Sequence, residues 1–227
     1  MSQLVEESLA LAGAIRADRQ WRARAVSLYW SASFRLTGIV ERWHGRGCRA
    51  PHAVLNFGCG NHFLVGAVNA DLFAPHRFLL RKRRPDLYWR GTTQLPAYEQ
   101  YFQQIICEHV IEHMLPDDML KLIEGLHGVL APGGEIVLSF PDLATILERA
   151  RRPSAASAAV DLNSAIYRHG HRFMYDSVLV SDLLRSAGFE SLRTGSRSEM
   201  PFAERLLESR EPQSVYVTAR RPIRESG

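Results

Sequence analysis

The chain has 227 residues, 46% of them hydrophobic, enough for one well-buried domain and a further segment. Its formal charge is +4, and its three cysteines, Cys48, Cys59 and Cys107, show no paired spacing, so a disulfide-stapled secreted scaffold is not expected. No apolar stretch is long enough to span a bilayer and no secretory signal is evident; with reduced thiols, this points to a cytoplasmic setting.

Residues 1–50 read as a helical N-terminal extension, rich in aromatic residues such as Trp21, Tyr29, Trp30 and Phe34. They hold eight arginines and four acids, a net of +4, whereas residues 51–227 balance at twenty basic and twenty acidic residues. Three roles suit such a segment: a cap packed on the domain, a lid that selects anionic or sugar-containing acceptors, or a peripheral contact with an acidic or membrane surface.

The most informative stretch follows. Val54 to Phe57 reads as a short apolar strand, and Gly58-Cys59-Gly60 lets the chain turn with little side chain in the way. Val68 to Asp71 reads as the next strand, ending in a carboxylate suited to a ribose diol. Strand, Gly-x-Gly, strand and acid form a nucleoside-binding arrangement at the carboxyl end of an open α/β sheet. Phe63 stands where a dinucleotide fold has its third glycine, and Asp71 comes only eleven residues after Gly60, which disfavours a nicotinamide cofactor. The same spacing leaves little length for a crossover helix.

Arg81-Lys82-Arg83-Arg84 reads as a solvated basic loop, and no known nucleic-acid motif stands out, so nucleic acid is not expected as a partner. Pro116-Asp117-Asp118 opens a helix whose apolar face carries Met119, Leu122, Ile123, Leu126, Val129 and Leu130. Pro132-Gly133-Gly134 ends it and turns the chain into a buried strand over residues 136–140. Residues 151–159 read as a loop near the mouth of the site. A second helix begins near Ser177 and stops at Gly188, and residues 215–219 alternate as a final strand.

In order, Leu55-Asn56-Phe57-Gly58-Cys59-Gly60, Asn69-Ala70-Asp71-Leu72, Leu95-Pro96, Cys107-Glu108-His109-Val110-Ile111-Glu112-His113, Pro132-Gly133-Gly134 and Ser139-Phe140-Pro141-Asp142 make the chain resemble a class I S-adenosylmethionine-dependent methyltransferase. More narrowly, it resembles the bacterial branch found beside glycosyltransferases in surface-polysaccharide and natural-product clusters. The resemblance covers roughly residues 52–221. It implies a Rossmann-like α/β sheet, mostly parallel with an antiparallel C-terminal strand, and S-adenosylmethionine as cofactor. The expected acceptor is a hydroxyl of a sugar, glycolipid or secondary metabolite.

The resemblance also assigns residues. Phe57, Gly58, Cys59, Gly60 and Asn61 would line the methionine and ribose part; Asp71 and Leu72 would hold the ribose; Gln94 and Leu95 would border the adenine. Cys107, Glu108 and His109 would sit beside the methyl, with Glu108 near the cofactor's ammonium or an acceptor hydroxyl. His171 is the first candidate for general base, because related enzymes carry a histidine there and imidazole titrates near neutral pH. Two positions depart from many relatives: Gly91 and Gln103 stand where those carry acids.

Two other readings belong beside this one. The chain resembles small-RNA 2′-O-methyltransferases that bind a divalent cation through E-x-x-E-H and a later histidine; here His109-Val110-Ile111-Glu112-His113 and His171 occupy those places, an imidazole replacing the first carboxylate. Metal-free relatives share the final Glu-His, and no metal is expected. The other alternative is a methyltransferase-like module that binds without turnover.

Overall fold

Four consecutive buried residues make β1 (Val54–Phe57) a strand with no solvated face, which requires neighbours on both edges. It has them in β2 (Val68–Asp71) and β4 (Phe102–Glu108), both parallel to it. The computed structural model describes residues 32–37, 53–72, 83–151, 158–167, 170–207 and 214–223. Within them, β3 (Leu87–Tyr88), β5 (Leu130–Pro141), β6 (Glu190–Gly195) and β7 (Ser214–Arg220) complete a seven-stranded sheet in the order β3-β2-β1-β4-β5-β7-β6. Strand β7 alone runs antiparallel, to both β5 and β6. The strand order reverses between β1 and β4, and a crevice opens at the carboxyl ends of strands where this happens.

Helix α1 (Pro116–Val129) covers one face. Proline at its first turn, Asp117 and Asp118 beside the positive dipole end, and buried Met119, Leu122, Ile123, Leu126 and Val129 explain its position and orientation. Among the described residues after α1, three further α-helices are α2 (Leu143–Ala150), α3 (Ala158–Tyr167) and α4 (Ser177–Ser186). Asp142 and Asp176 cap α2 and α4 by accepting the amides of Thr145 and Leu179 at 2.9 and 2.8 Å. Side chains of α1 and α4 join Leu55, Phe57, Ile105, Ile136 and Val217 in the main core. On the opposite face a smaller core gathers Ile106, Val137 and Tyr216 with Met200 and Leu206.

The β1–β2 connection contains no helix, as the short spacing implied. In its place is a buried amide network. Asn56 and Asn69 face each other in register; Asn56 Nδ2 donates to Asn69 Oδ1 at 3.0 Å and to the His62 carbonyl at 2.8 Å. Asn69 in turn binds the main chain of Leu64 and Ala67, and Asp86 Oδ2 accepts its backbone and side-chain N–H groups. Buried polar groups satisfied in this way fix a loop as firmly as a helix would.

The structure corrects three local expectations. Val129 leads directly into β5, and Pro132-Gly133-Gly134 bulges out of that strand instead of preceding it; Phe102 pairs with Leu130 while Gln104 pairs with Glu135. Residues expected to form a loop at 158–159 are the start of α3. Strand β6 was not anticipated, because at the sheet edge its side chains are largely exposed and carry no apolar alternation. Cys48, Arg81, Lys82 and most of the N-terminal extension lie outside the described residues. Among the described residues no helix is long and apolar enough to cross a membrane.

Candidate functional site

The loop after β1 is stitched to the end of β2. Gly60 donates its amide to Asp71 Oδ2 at 3.0 Å, Leu72 donates to Oδ1 at 2.7 Å, and Cys59 donates to the Ala70 carbonyl at 3.1 Å. Gly58 and Gly60 have φ of +69° and +52°, values that favour glycine. A Cβ on Gly58 would stand 2.2 Å from Val110 Cγ2, so the close approach of the turn after β4 also requires it. The result is a stretch of main chain at the switch point with a carboxylate beside it. An ionised carboxylate has about four acceptor positions, and these two amides account for part of that capacity.

The remaining residues expected at the donor divide into two groups. Gln94 and Asn61 are exposed, and Leu72 is half-buried, at the carboxyl edge of the sheet. Phe57, Cys59, Leu95 and Cys107 are buried. Phe57 packs edge-on against Trp89, with ring centroids 5.5 Å apart, so what it offers the crevice is backbone. Burial, reinforced by the charges of Glu112 and Glu108, pushes the Cys107 thiol far above its ordinary value of 9.0 and keeps it protonated. Gly91 is buried; a Cβ there would meet Leu122 Cδ1 at 2.2 Å and Phe57 Cζ at 2.7 Å.

A second group of polar residues follows β4. Glu108 is 7% exposed; both its oxygens accept the Leu207 amide at 3.2 Å, and Ser139 Oγ stands 3.5 Å from Oε1. Its carboxylate thus anchors the segment that follows β6. His109 has φ +55° and bridges the sheet: Nε2 lies 2.8 Å from Ser214 Oγ and Nδ1 lies 3.0 Å from Glu112 Oε1. Glu112 is 1% exposed, and despite that 3.0 Å approach neither of its oxygens has an aligned hydrogen-bond donor. A buried carboxylate in that condition is costly.

His171 reaches this cluster through its backbone. The amides of Arg172 and Phe173 donate to the Glu112 carbonyl at 2.8 and 3.3 Å, which docks the segment after α3 on the turn after β4. Glu112, His113 and His171 can then place one donor atom each within 4.8 Å of one another. The Ala165 carbonyl lies 2.6 Å from His171 Nδ1, and the Gly170 carbonyl 3.3 Å from His113 Nδ1. Carbonyls only accept, so both Nδ1 atoms carry a proton. Sequence reasoning singled out these histidines and Glu112 but missed Ser214, Leu207 and the Asn56–Asn69 pair. Only the asparagines left a signal, as polar residues inside two apolar strands.

Sheet order, switch-point crevice and the carboxylate-backed glycine loop together define a Rossmann-like methyltransferase fold. The sequence matches a family profile described as methyltransferase domain over residues 29–194, more than half of the chain. The chain belongs to that family of enzymes and takes S-adenosylmethionine as its cofactor. The fold is shared with an S-adenosylmethionine-dependent methyltransferase from Archaeoglobus fulgidus, at 14% identity and a TM-score of 0.51, over 89% of this chain and 100% of that one. It is also shared with a protein of Thermotoga maritima described as an S-adenosylmethionine-dependent methyltransferase, possible histamine N-methyltransferase, at 18% identity and a TM-score of 0.50, over 88% and 97% of the two chains. No curated protein sequence matches the chain.

Proposed function

We propose that the protein transfers the methyl group of S-adenosylmethionine to a hydroxyl of a sugar, glycolipid or secondary metabolite. The observation that carries the donor half is the clasp between Asp71 and the Gly60 amide, which sets a carboxylate beside open main chain at the switch point. The bound donor supplies a methyl group made electrophilic by its sulfonium. The chain's part is to hold that methyl at attack distance from the acceptor and to take one proton. His171, with Nδ1 fixed on the Ala165 carbonyl, would accept the acceptor's hydroxyl proton on Nε2 as the methyl is transferred. The acceptor class is supported by the motif resemblance and by imidazoles gathered at the end of β4. His109, held between Ser214 and Glu112, is the second candidate for the base.

Turnover with labelled donor on candidate glycans and metabolites, beside calorimetry of donor binding, tests this. His171→Ala should lower kcat by roughly a hundredfold or more, the usual contribution of a general base, with donor Kd within about twofold. A parallel loss of both would remove His171 from the proton step.

The geometry favours a second reading of the same cluster, in which Glu112, His113 and His171 hold a divalent cation that orients the acceptor. The donor set fits: two imidazoles, and a buried carboxylate without an aligned donor. Purified protein would then contain close to one equivalent of metal, lost in His113→Ala. Turnover unchanged by prolonged chelation would dismiss the cation.

A further inference from the structure

Residues 32–37 of the N-terminal extension are helical, and what they bury is unusual for a cap. Ser33 and Thr37 are 1% and 0% exposed, whereas Leu36 is 37% exposed. A spacing of four puts Ser33 and Thr37 on one face, and Thr37 Oγ1 donates to the Ser33 carbonyl at 2.6 Å. A helix that served only to cover apolar surface would bury its leucine and expose its hydroxyls. Ser33 Oγ, moreover, is buried without a hydrogen-bond partner.

Phe34 lies beside this face, its ring centroid 5.1 Å from the guanidinium carbon of Arg90. Arg90 occupies a telling place. Tyr88 of β3 pairs with Asp71, and the Trp89 amide continues that ladder by donating to the Asp71 carbonyl at 3.1 Å. Trp89 turns its ring into the core against Phe57, so Arg90, the next residue, projects to the opposite side of the sheet. Side-chain alternation along paired strands puts Asp71 on that side as well. Arg90 also lies four residues before Gln94, which with Leu95 is expected to border the adenine. The extension therefore touches the sheet at its nucleoside-binding edge.

We propose that Phe34 and Arg90 form the outer wall of the adenine end of the donor pocket, making this part of the extension a component of the donor site. The proposal rests on the assignment of the crevice to S-adenosylmethionine. Adenine is a flat π-system; a guanidinium plane and an aromatic ring are both suitable surfaces for it to stack on. The family match begins at residue 29 and so includes the segment.

Calorimetry of the full chain with S-adenosylhomocysteine tests it. Phe34→Ala and Arg90→Gln should each weaken binding about tenfold, the loss of one stacking or cation–π contact, and Phe34→Trp should restore it. The same losses should appear with adenosine, which carries only the base and ribose. Where Phe34→Ala does not fold, Phe34→Leu keeps the bulk without the π face and should show the same weakening. Folded variants that bind S-adenosylhomocysteine as tightly as the unaltered chain would overturn the proposal. An unaltered chain that binds neither ligand would overturn the donor assignment itself, and this inference with it.

Discussion

Asp71 performs two tasks with one carboxylate. It holds the glycine loop through the Gly60 and Leu72 amides, and in the proposed donor site it also meets the ribose diol. Charge-assisted hydrogen bonds of this kind contribute roughly 1.5–3 kcal/mol each, so Asp71→Ala should weaken S-adenosylmethionine binding by about one to two orders of magnitude. Calorimetry giving an unchanged Kd would remove Asp71 from the donor site. Other residues changed meaning once placed. Glu108, expected near the donor's ammonium, has its carboxylate on the Leu207 amide, 99 positions away in sequence. Gly91, which looked like a lost acid, is a point of close packing where a side chain has no space. Neither assignment follows from residue type and spacing, because each depends on a partner that local sequence does not name.

Helix α1 shows how one element satisfies two constraints. Its apolar face was readable from spacings of three and four, and the helix forms over the residues so marked. Its glycines were not interpretable without the sheet beneath. Gly125 lies against the loop after β3: a Cβ there would stand 1.8 Å from the Gly91 carbonyl oxygen, whereas one on Gly128 meets nothing within 4 Å. Gly125→Ala should therefore destabilise the fold by about 2 kcal/mol, as overpacking does, while Gly128→Ala should stabilise it by roughly 0.5–1 kcal/mol through helix propensity. Urea unfolding of the two variants checks the opposed signs. Helices α2 and α3 were not anticipated, although Asp142 three residues before Thr145 is an N-cap signal for the first of them.

At the scale of the molecule, the fold buries one thiol and one phenol in their neutral forms. Burial raises both the Cys107 thiol and the Tyr175 phenol above their ordinary values of 9.0 and 10.0, with Glu112 adding to both shifts, Glu108 to the first and Asp118 to the second. For an acid whose folded value is raised, stability is fully present below the unfolded value and falls as pH climbs through the folded one. Folding stability should thus hold to about pH 9 and decline steadily above it. Tyr175→Phe should make that alkaline decline shallower, at the cost of the 3.1 Å bond its hydroxyl donates to the Met114 carbonyl. Unfolding curves between pH 8 and 11 provide the measurement; equal slopes for both proteins would exclude Tyr175 as a source.

The sequence by itself determined the carboxylate-backed glycine loop, because a strand, a glycine turn and the next strand's acid lie within eighteen residues, from Val54 to Asp71, and their chemistry is local. It also determined α1, α4 and the final strand, whose periodicities are written in single stretches. Tertiary structure decided the rest. His109 meets Ser214 across 105 positions, and His171 joins Glu112 and His113 only because two backbone amides dock its segment there. Phe34 finds Arg90 by the same route. Such contacts are fixed by strand order and by which face each side chain takes, and no periodicity in the sequence carries that information.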